Sequence, residues 1–335
     1  MKSITKYQIT DAQIRAAFIA AGIGGVSETE EISDGWYNSV YYAVDNNSNK
    51  YVMKIAPEKS VKVLTHERGI MAAEVEFYRL LREKTGIKTP KIIYSDSSGG
   101  IIPTSYFIME FLDGERLDKA KLTREERRKV KEKLAWILAE FHRLKGSGYG
   151  YAQTGLHNNW KDALTHMTGM LISDAASFNK KCRVGERLMS YIDKFADALN
   201  NAPCTLVNFD LHAMNIFCKN VNGEIQLSIL DLERGFWGDP IGDFVSVEMF
   251  KPFNKKEIIA LYNRYADVKI GKSREEQIRY YLLSAYLAAV MYTERFSRFK
   301  GISKFISPVY LAGTVACKLL ALQAFSALKR LEKEG

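Results

Sequence analysis

Cysteine is scarce and unpatterned in this chain of 335 residues: there are four, Cys182, Cys204, Cys218 and Cys317, with no C-x-x-C spacing. That excludes a disulfide scaffold and the common zinc ribbons, and it suits free thiols in a reducing cytoplasm. Long apolar runs are missing too. The most apolar stretch, Tyr280 to Tyr292, stops after 13 residues between Arg279 and Glu294, short of the roughly 20 that a membrane-spanning helix needs. It reads as a buried helix, and no membrane partner is expected. The opening MKSITKYQITDAQI lacks the apolar core of a secretory signal, so a cytoplasmic location is expected. There is no internal repeat and no low-complexity tract.

What is present is the composition of a soluble globular protein, 47% hydrophobic and 26% charged, long enough for two lobes. The net charge of +9 is unevenly spread. Residues 1–112 hold 13 basic and 13 acidic side chains, so residues 113–335, with 35 and 26, carry the whole excess. Separate roles for the two parts follow from that asymmetry.

Residues 1–112 read as a small α+β lobe. Val- and Tyr-rich runs at 39–44 and 51–56, then KIIYS and TSYFIMEFL, give antiparallel strands. The clusters Asp34-Gly35 and Asp45 to Asn49 supply turns. A single helix is expected where Met71, Val75, Tyr78 and Leu81 recur at threes and fours. Residues 113–335 read as mainly helical. Thr123-Arg-Glu-Glu126 is a capping box ahead of an amphipathic helix carrying Val130, Leu134, Ile137, Leu138 and Phe141. Further helices are expected near 160–172, 184–200, 255–266, 274–298 and 308–333. Residues 205–232 are the exception: FCKN and QLSILD flank the turn Val221-Asn222-Gly223 as a hairpin.

In LVNFDLHAMNIF, Asp210 precedes Asn215 by five residues, and Asp231 ends an apolar run after the hairpin. The spacing D-x-x-x-x-N is that of a kinase catalytic loop. An acid to accept a hydroxyl proton, with an amide and a second acid offering hard oxygens to Mg²⁺, suits phosphoryl transfer. Such a site also needs a phosphate-grasping lysine. Lys54 stands alone in the apolar run YVMKIA, a costly place for an unpaired charge. Glu74 or Glu76 on the next helix could pair with it. Taken singly, each feature has a plainer explanation: a turn glycine, a snorkelling lysine, a turn-capping acid. Their order along the chain is what carries the argument.

That ordered set resembles the aminoglycoside phosphotransferase and choline kinase-like family, which implies a two-lobed protein-kinase-like fold. Gly35-Trp-Tyr-Asn38-Ser39 is similar to its phosphate-covering turn, Lys54 to its strand lysine and Glu74 to its helix glutamate. Ile108 to Gly114 resembles the hinge, where the backbone near Glu110 and Leu112 would meet adenine. Asp210 resembles the catalytic base, and Asn215 and Asp231 the Mg²⁺ ligands, with Asp231-Leu-Glu233 closer to this family than the D-F-G of protein kinases. Gly238 to Asp243 matches the segment that follows, and Tyr149 to Trp160 an insertion in some members. The family's usual His-Gly-Asp is here Asn208-Phe209-Asp210.

The resemblance implies an ATP- and Mg²⁺-dependent transfer of the γ-phosphoryl group to a hydroxyl of a small molecule. The departure at Asn208 motivates one alternative, a nucleotide-binding pseudokinase acting as an interaction protein. Among the histidines, His212 and His142 read as structural, and His157 and His166 lack metal spacing. The cluster TREERRKVKEK is a solvated helix face; YTERFSRFKGISKF could be half-buried, a nucleic-acid contact or part of a substrate wall, core packing is the favoured reading, and no nucleic acid partner is expected. After Phe244 there are 16 basic residues against 8 acidic ones. A field of that sign disfavours a polycationic acceptor and leaves neutral, singly charged or acidic ones.

Overall fold

The computed structural model describes residues 3–33, 35, 37–249, 254–298 and 308–334. The expected turn residue Asp34, with Trp36, and the part of the basic aromatic stretch from 299 to 305 lie outside them.

Alternating side chains build the N-terminal sheet. Its strands β1 (Val26–Ile32), β2 (Ser39–Asp45), β3 (Lys50–Ile55), β4 (Ile92–Asp96) and β5 (Tyr106–Glu110) are antiparallel in the order β1-β2-β3-β5-β4. Met53, Ile55, Tyr106 and Ile108 face one side, where α1 (Asp11–Ala20) packs Ile14, Ala17 and Phe18 against them. Val52, Phe107 and Met109 face the other, against Met71, Val75 and Tyr78 of α2 (Ile70–Lys84). Each such side chain contributes about 1.5–3 kcal/mol by leaving water. The region therefore has a second helix, α1, where one was expected. Its capping box, Thr10 with Gln13, was legible, but an apolar face of three residues is thin.

A strap crosses from this sheet to the other region. Ile4 N–H donates to the Arg298 carbonyl at 3.4 Å, and Ser3 Oγ donates to the same oxygen at 3.4 Å. Lys6 Nζ donates to Asn38 O at 2.7 Å, and Tyr7 O accepts from Ser39 Oγ at 2.9 Å.

Beyond the two-residue strand β6 (Glu115–Arg116), helices dominate. α3 (Arg124–Arg143) starts on the expected box, Glu126 N donating to Thr123 Oγ1 at 3.2 Å. α4 (Trp160–Ser177), α5 (Arg183–Lys194) and the single turn α6 (Ala196–Leu199) follow. Next come β7 (Thr205–Val207), the hairpin β8 (Ile216–Val221) and β9 (Glu224–Ile229), and β10 (Phe236–Gly238) paired with β7. The chain then runs through α7 (Ile241–Met249), α8 (Lys255–Tyr265), α9 (Arg274–Arg298) and α10 (Pro308–Lys333). Among these helices only α7 was not foreseen, beginning at the Gly238 to Asp243 segment, and the short strands β6, β7 and β10 were not foreseen either. As expected, Leu282 to Val290 of α9 is core.

α10 has two characters. Ala312, Gly313, Ala316 and Cys317 line a cleft, while Leu311, Val315, Leu319 and Leu322 are about half exposed or more. Among the described residues it is the helix long and apolar enough, by length and composition, to cross a membrane, and a third of its most apolar window is buried.

Candidate active site

The cleft lies between the sheet and the helical region, with a volume of about 840 Å³. β3 alternation decides which residue enters it. Lys54 points to the same face as Val52, into the cleft, as a single ammonium among apolar neighbours. The buried stripe Met71, Val75, Tyr78 and Leu81 rotates α2 so that Glu74, 1% exposed, meets that lysine. Lys54 Nζ lies 2.9 Å from both Glu74 oxygens, 3.0 Å from Asp231 Oδ1 and 3.4 Å from Glu233 Oε2. Glu76 instead sits outside with Arg79 at 2.6 Å.

Asp231 follows β9 with a left-handed φ of 60° and donates its N–H to Tyr78 Oη at 2.8 Å. Oxygens of Glu74, Asp231 and Glu233 lie within 4.8 Å of one another. Burial works against the Lys54 charge, but Asp231, Glu74 and Glu233 hold it protonated far above its ordinary range. Burial pushes Glu74 up against the pull of Lys54. It would raise Asp231 too, yet Lys54 keeps that acid below its usual value. Glu233 bears the surplus: burial and then Asp231 push it up to about 8. One ammonium among three acids, with Glu233 protonated below about pH 8, still leaves a negative surplus to be matched in a buried place.

Asp210 follows β7, and its backbone is tied down from below. Asn208 N–H and Phe209 N–H donate to the Asp243 carboxylate at 3.3 and 2.7 Å, and Asn208 Oδ1 accepts the Asp210 N–H at 2.9 Å. Asp243 is itself braced by His142 Nε2 at 3.1 Å, whose Nδ1 meets Tyr262 Oη at 3.1 Å. Asn208 thus performs backbone anchoring, although its Nδ2 is buried with no partner among the described residues. Phe209 stands at φ 59°, a conformation that a bulky residue adopts at a cost. Its ring packs against Phe236 and Tyr286, with centroids at 5.1 and 5.9 Å.

Asn215 Nδ2 donates to the Asp210 carbonyl at 3.1 Å and to Oδ2 at 3.2 Å. Arg234 Nη1 sits 3.0 Å from Asp210 Oδ1, and its Nη2 reaches both Glu294 oxygens at 3.0 and 2.9 Å. Burial raises the Asp210 carboxyl, while Arg234 and then His212, whose Nε2 is 3.5 Å away, oppose that rise.

Most of the expected residues converge. Lys54, Glu74, Asp210, Asn215 and Asp231 line one cleft with Gly35, Glu110 and Leu112. Gly35 holds φ 107°, which any β-carbon would resist. At the hinge, Glu110 and Phe111 N–H groups are taken by Lys91 O and Lys50 O at 2.9 and 3.2 Å, and Leu112 N–H has no acceptor among the described residues. Two residues sit elsewhere. Ser39 is fully buried and gives its hydroxyl to Tyr7 O, so it does not face the cleft. Asn38 also turns inward and reaches the site only through Nδ2 on Glu233 Oε2 at 2.9 Å. Sequence reasoning missed Glu233 and Arg234 as site residues. Their signal was a second and third polar position in ILDLERG, directly after the apolar run. Glu294 of α9 lines the same cleft.

The family model described as phosphotransferase enzyme family matches residues 28–275. No curated protein matches the sequence. Among solved structures, a candidate fructosamine-3-kinase from Thermobifida fusca YX-ER1 is similar at 15% identity and TM-score 0.68, over 96% of this chain and 100% of that one. The streptomycin–ATP complex of APH(2'')-IIa is similar at 18% identity and TM-score 0.57, over 87% and 94%. A thermostable APH(4)-Ia variant with AMP-PNP and hygromycin B is similar at 14% identity and TM-score 0.58, over 91% and 97%. At these identities the likeness is one of fold, a two-lobed kinase-like architecture.

Proposed function

The chain belongs to the phosphotransferase enzyme family, and from that premise we propose that it transfers the γ-phosphoryl group of ATP to a hydroxyl of a small molecule. The observation that carries this reading is the meeting of Lys54, Glu74 and Asp231 within 3.0 Å of the lysine nitrogen, across one cleft from Asp210. Residues 1–112 then form the nucleotide-binding lobe, and residues 113–335 carry the catalytic loop, metal site and acceptor wall. ATP as donor is supported by the ATP and AMP-PNP complexes among the similar structures.

Adenine would lie between Val40, Val52, Met109 and Leu230, with the Leu112 N–H as donor. Lys54 would grip the phosphates once the acids around it are matched. Asp210 takes the proton of the acceptor hydroxyl as its oxygen bonds to the γ-phosphorus. The bond from that phosphorus to the β–γ bridging oxygen breaks, and ADP leaves with the electron pair. Catalysis is positioning and charge stabilisation, with no covalent enzyme intermediate.

Mg²⁺ fits the donor set. Asp231 and Glu233 are hard oxygen donors in an acid cluster with a surplus of negative charge, and Asn215 has its amide nitrogen on Asp210 and its oxygen to spare. When bound, the ion supplies charge neutralisation for the phosphates. The pseudokinase alternative gains no support, since Asn208 serves as a backbone anchor. The test is ADP release from Mg–ATP by the full chain against a panel of hydroxyl compounds. No acceptor-stimulated release, together with no nucleotide binding, would sink the proposal.

A further inference from the structure

The far end of the cleft, beyond Asp210, is built differently from its nucleotide end. Met291 of α9 and Ala312, Gly313, Ala316 and Cys317 of α10 give it small apolar walls. Arg234, Arg295 and Arg298 line the same end, against two carboxylates, Asp210 and Glu294. Arg298 is matched from behind by an ion pair to Glu67 and lies 4.4 Å from the Tyr37 ring centroid. Arg295 donates to Tyr292 O at 3.3 Å and to the Thr314 hydroxyl.

Arg234 is the residue whose situation must change during a reaction. It is shared between Asp210 Oδ1 at 3.0 Å and the two Glu294 oxygens. An acceptor hydroxyl has to hydrogen-bond the Asp210 carboxylate, whose other oxygen already holds Asn215 Nδ2. As the hydroxyl comes to share Oδ1, the Nη1 contact is weakened, while Glu294 keeps its hold on Nη2. A guanidinium nitrogen left without a full acceptor in a part-buried wall is costly, and a neutral polyol offers it only a weak hydroxyl oxygen. An ammonium on the acceptor would add a second cation beside it. A carboxylate or phosphate would restore the match, with the fork geometry that guanidinium offers to both.

We propose that the acceptor is a hydroxyl compound bearing an anionic group, carboxylate or phosphate, and that Arg234 is the residue that binds this group. The proposal rests on the phosphotransferase reading of the same cleft. It makes Arg234 a specificity-determining residue, with Glu294 as the internal anion that the substrate displaces or shares. The arrangement also gives a reason for the arginine to sit beside the base: the substrate's own charge draws it off Asp210 as the hydroxyl arrives.

The experiment uses the full chain with Mg–ATP and matched acceptors that differ in one group: gluconate and glucose, quinate and its carboxamide, glycerol 1-phosphate and glycerol, glycerate and aminopropanediol. ADP release gives kcat/KM for each. Thermal stabilisation of the AMP-PNP-bound protein gives binding for compounds that are not turned over. The expected result is at least a tenfold preference for the anionic member of a pair, about 1.4 kcal/mol. The carboxylate and phosphate arms tell the two anions apart. R234Q should bring that ratio near one, a comparison internal to each variant and so independent of overall loss of activity. E294Q, which removes the competing carboxylate, should lower KM for the anionic member. Equal or better performance by the neutral or ammonium member overturns the proposal, as does a ratio unchanged in R234Q, or a panel in which no anionic member binds. If Mg–ATP itself does not bind, the phosphotransferase reading fails first and separately.

Discussion

The two ends of the cleft solve opposite electrostatic problems. At the nucleotide end one lysine sits among three carboxylates and the surplus is negative; at the acceptor end arginines are shared among fewer cleft-lining acids. The first is prepared for cations that arrive with the nucleotide. The second is prepared for a substrate that brings negative charge. Asp210 stands on the border, and net charge over the whole chain says nothing about that border. The +9 in residues 113–335 agrees with the acceptor end only because arginines of α9 point inward.

The largest expected effect removes the border. Asp210→Ala should cut turnover by roughly 10²–10⁴-fold, the usual contribution of a positioned base, while ATP affinity changes little. Near-normal turnover on an accepted substrate would assign the base elsewhere. Removing the lysine should hit the nucleotide end twice. Lys54→Ala leaves buried acids without their cation, so it should cost roughly 3–5 kcal/mol of stability as well as raising KM for ATP. Denaturant unfolding and ATP titration, run side by side, separate the two losses; identical ATP curves would place the lysine outside the site.

A smaller effect is a pH signature. With Glu233 pushed up to about 8, the folded state binds a proton that the unfolded chain has released. Stability should therefore be full below the ordinary glutamate range and fall as pH rises from about 4.5 towards 8. Glu233→Gln should flatten that slope, and Mg–nucleotide should do the same by replacing the proton. Melting curves at pH 5.5 and 8 check this, and a parallel slope in the variant would contradict it. The smallest effect concerns long-range charge. Kanamycin-like polyamines should be poor substrates at low salt and improve modestly as salt screens the basic exterior; efficient turnover at low salt would show a local acidic patch overriding the acceptor end.

What was legible in the sequence was local. D-x-x-x-x-N, a lysine in an apolar strand and an acid after a hairpin are each set within a few residues, and the structure puts Asp210, Asn215, Lys54, Glu74 and Asp231 in one cleft. The ends of α9 and α10 could be read because their apolar periodicity is long. What escaped was tertiary. Arg234 and Glu294 are 60 residues apart, and nothing in either segment announces the pair. Ser39 was misplaced because a side chain in the second position of a turn-strand junction can go either way, and only the strap carbonyl of Tyr7 decides it. α1 was hidden by a face too thin to stand out, and α7 by the glycines that open it.

The strap has a mechanical meaning. Ser3 and Ile4 grip the end of α9, while Lys6 and Tyr7 grip the turn before β2. A short tether anchored on both sides of a hinge limits how far the jaws can separate, as a stay limits a door. Shortening the chain to begin at Gln8 should lengthen the swing, admit bulkier acceptors and slow the return to the closed posture.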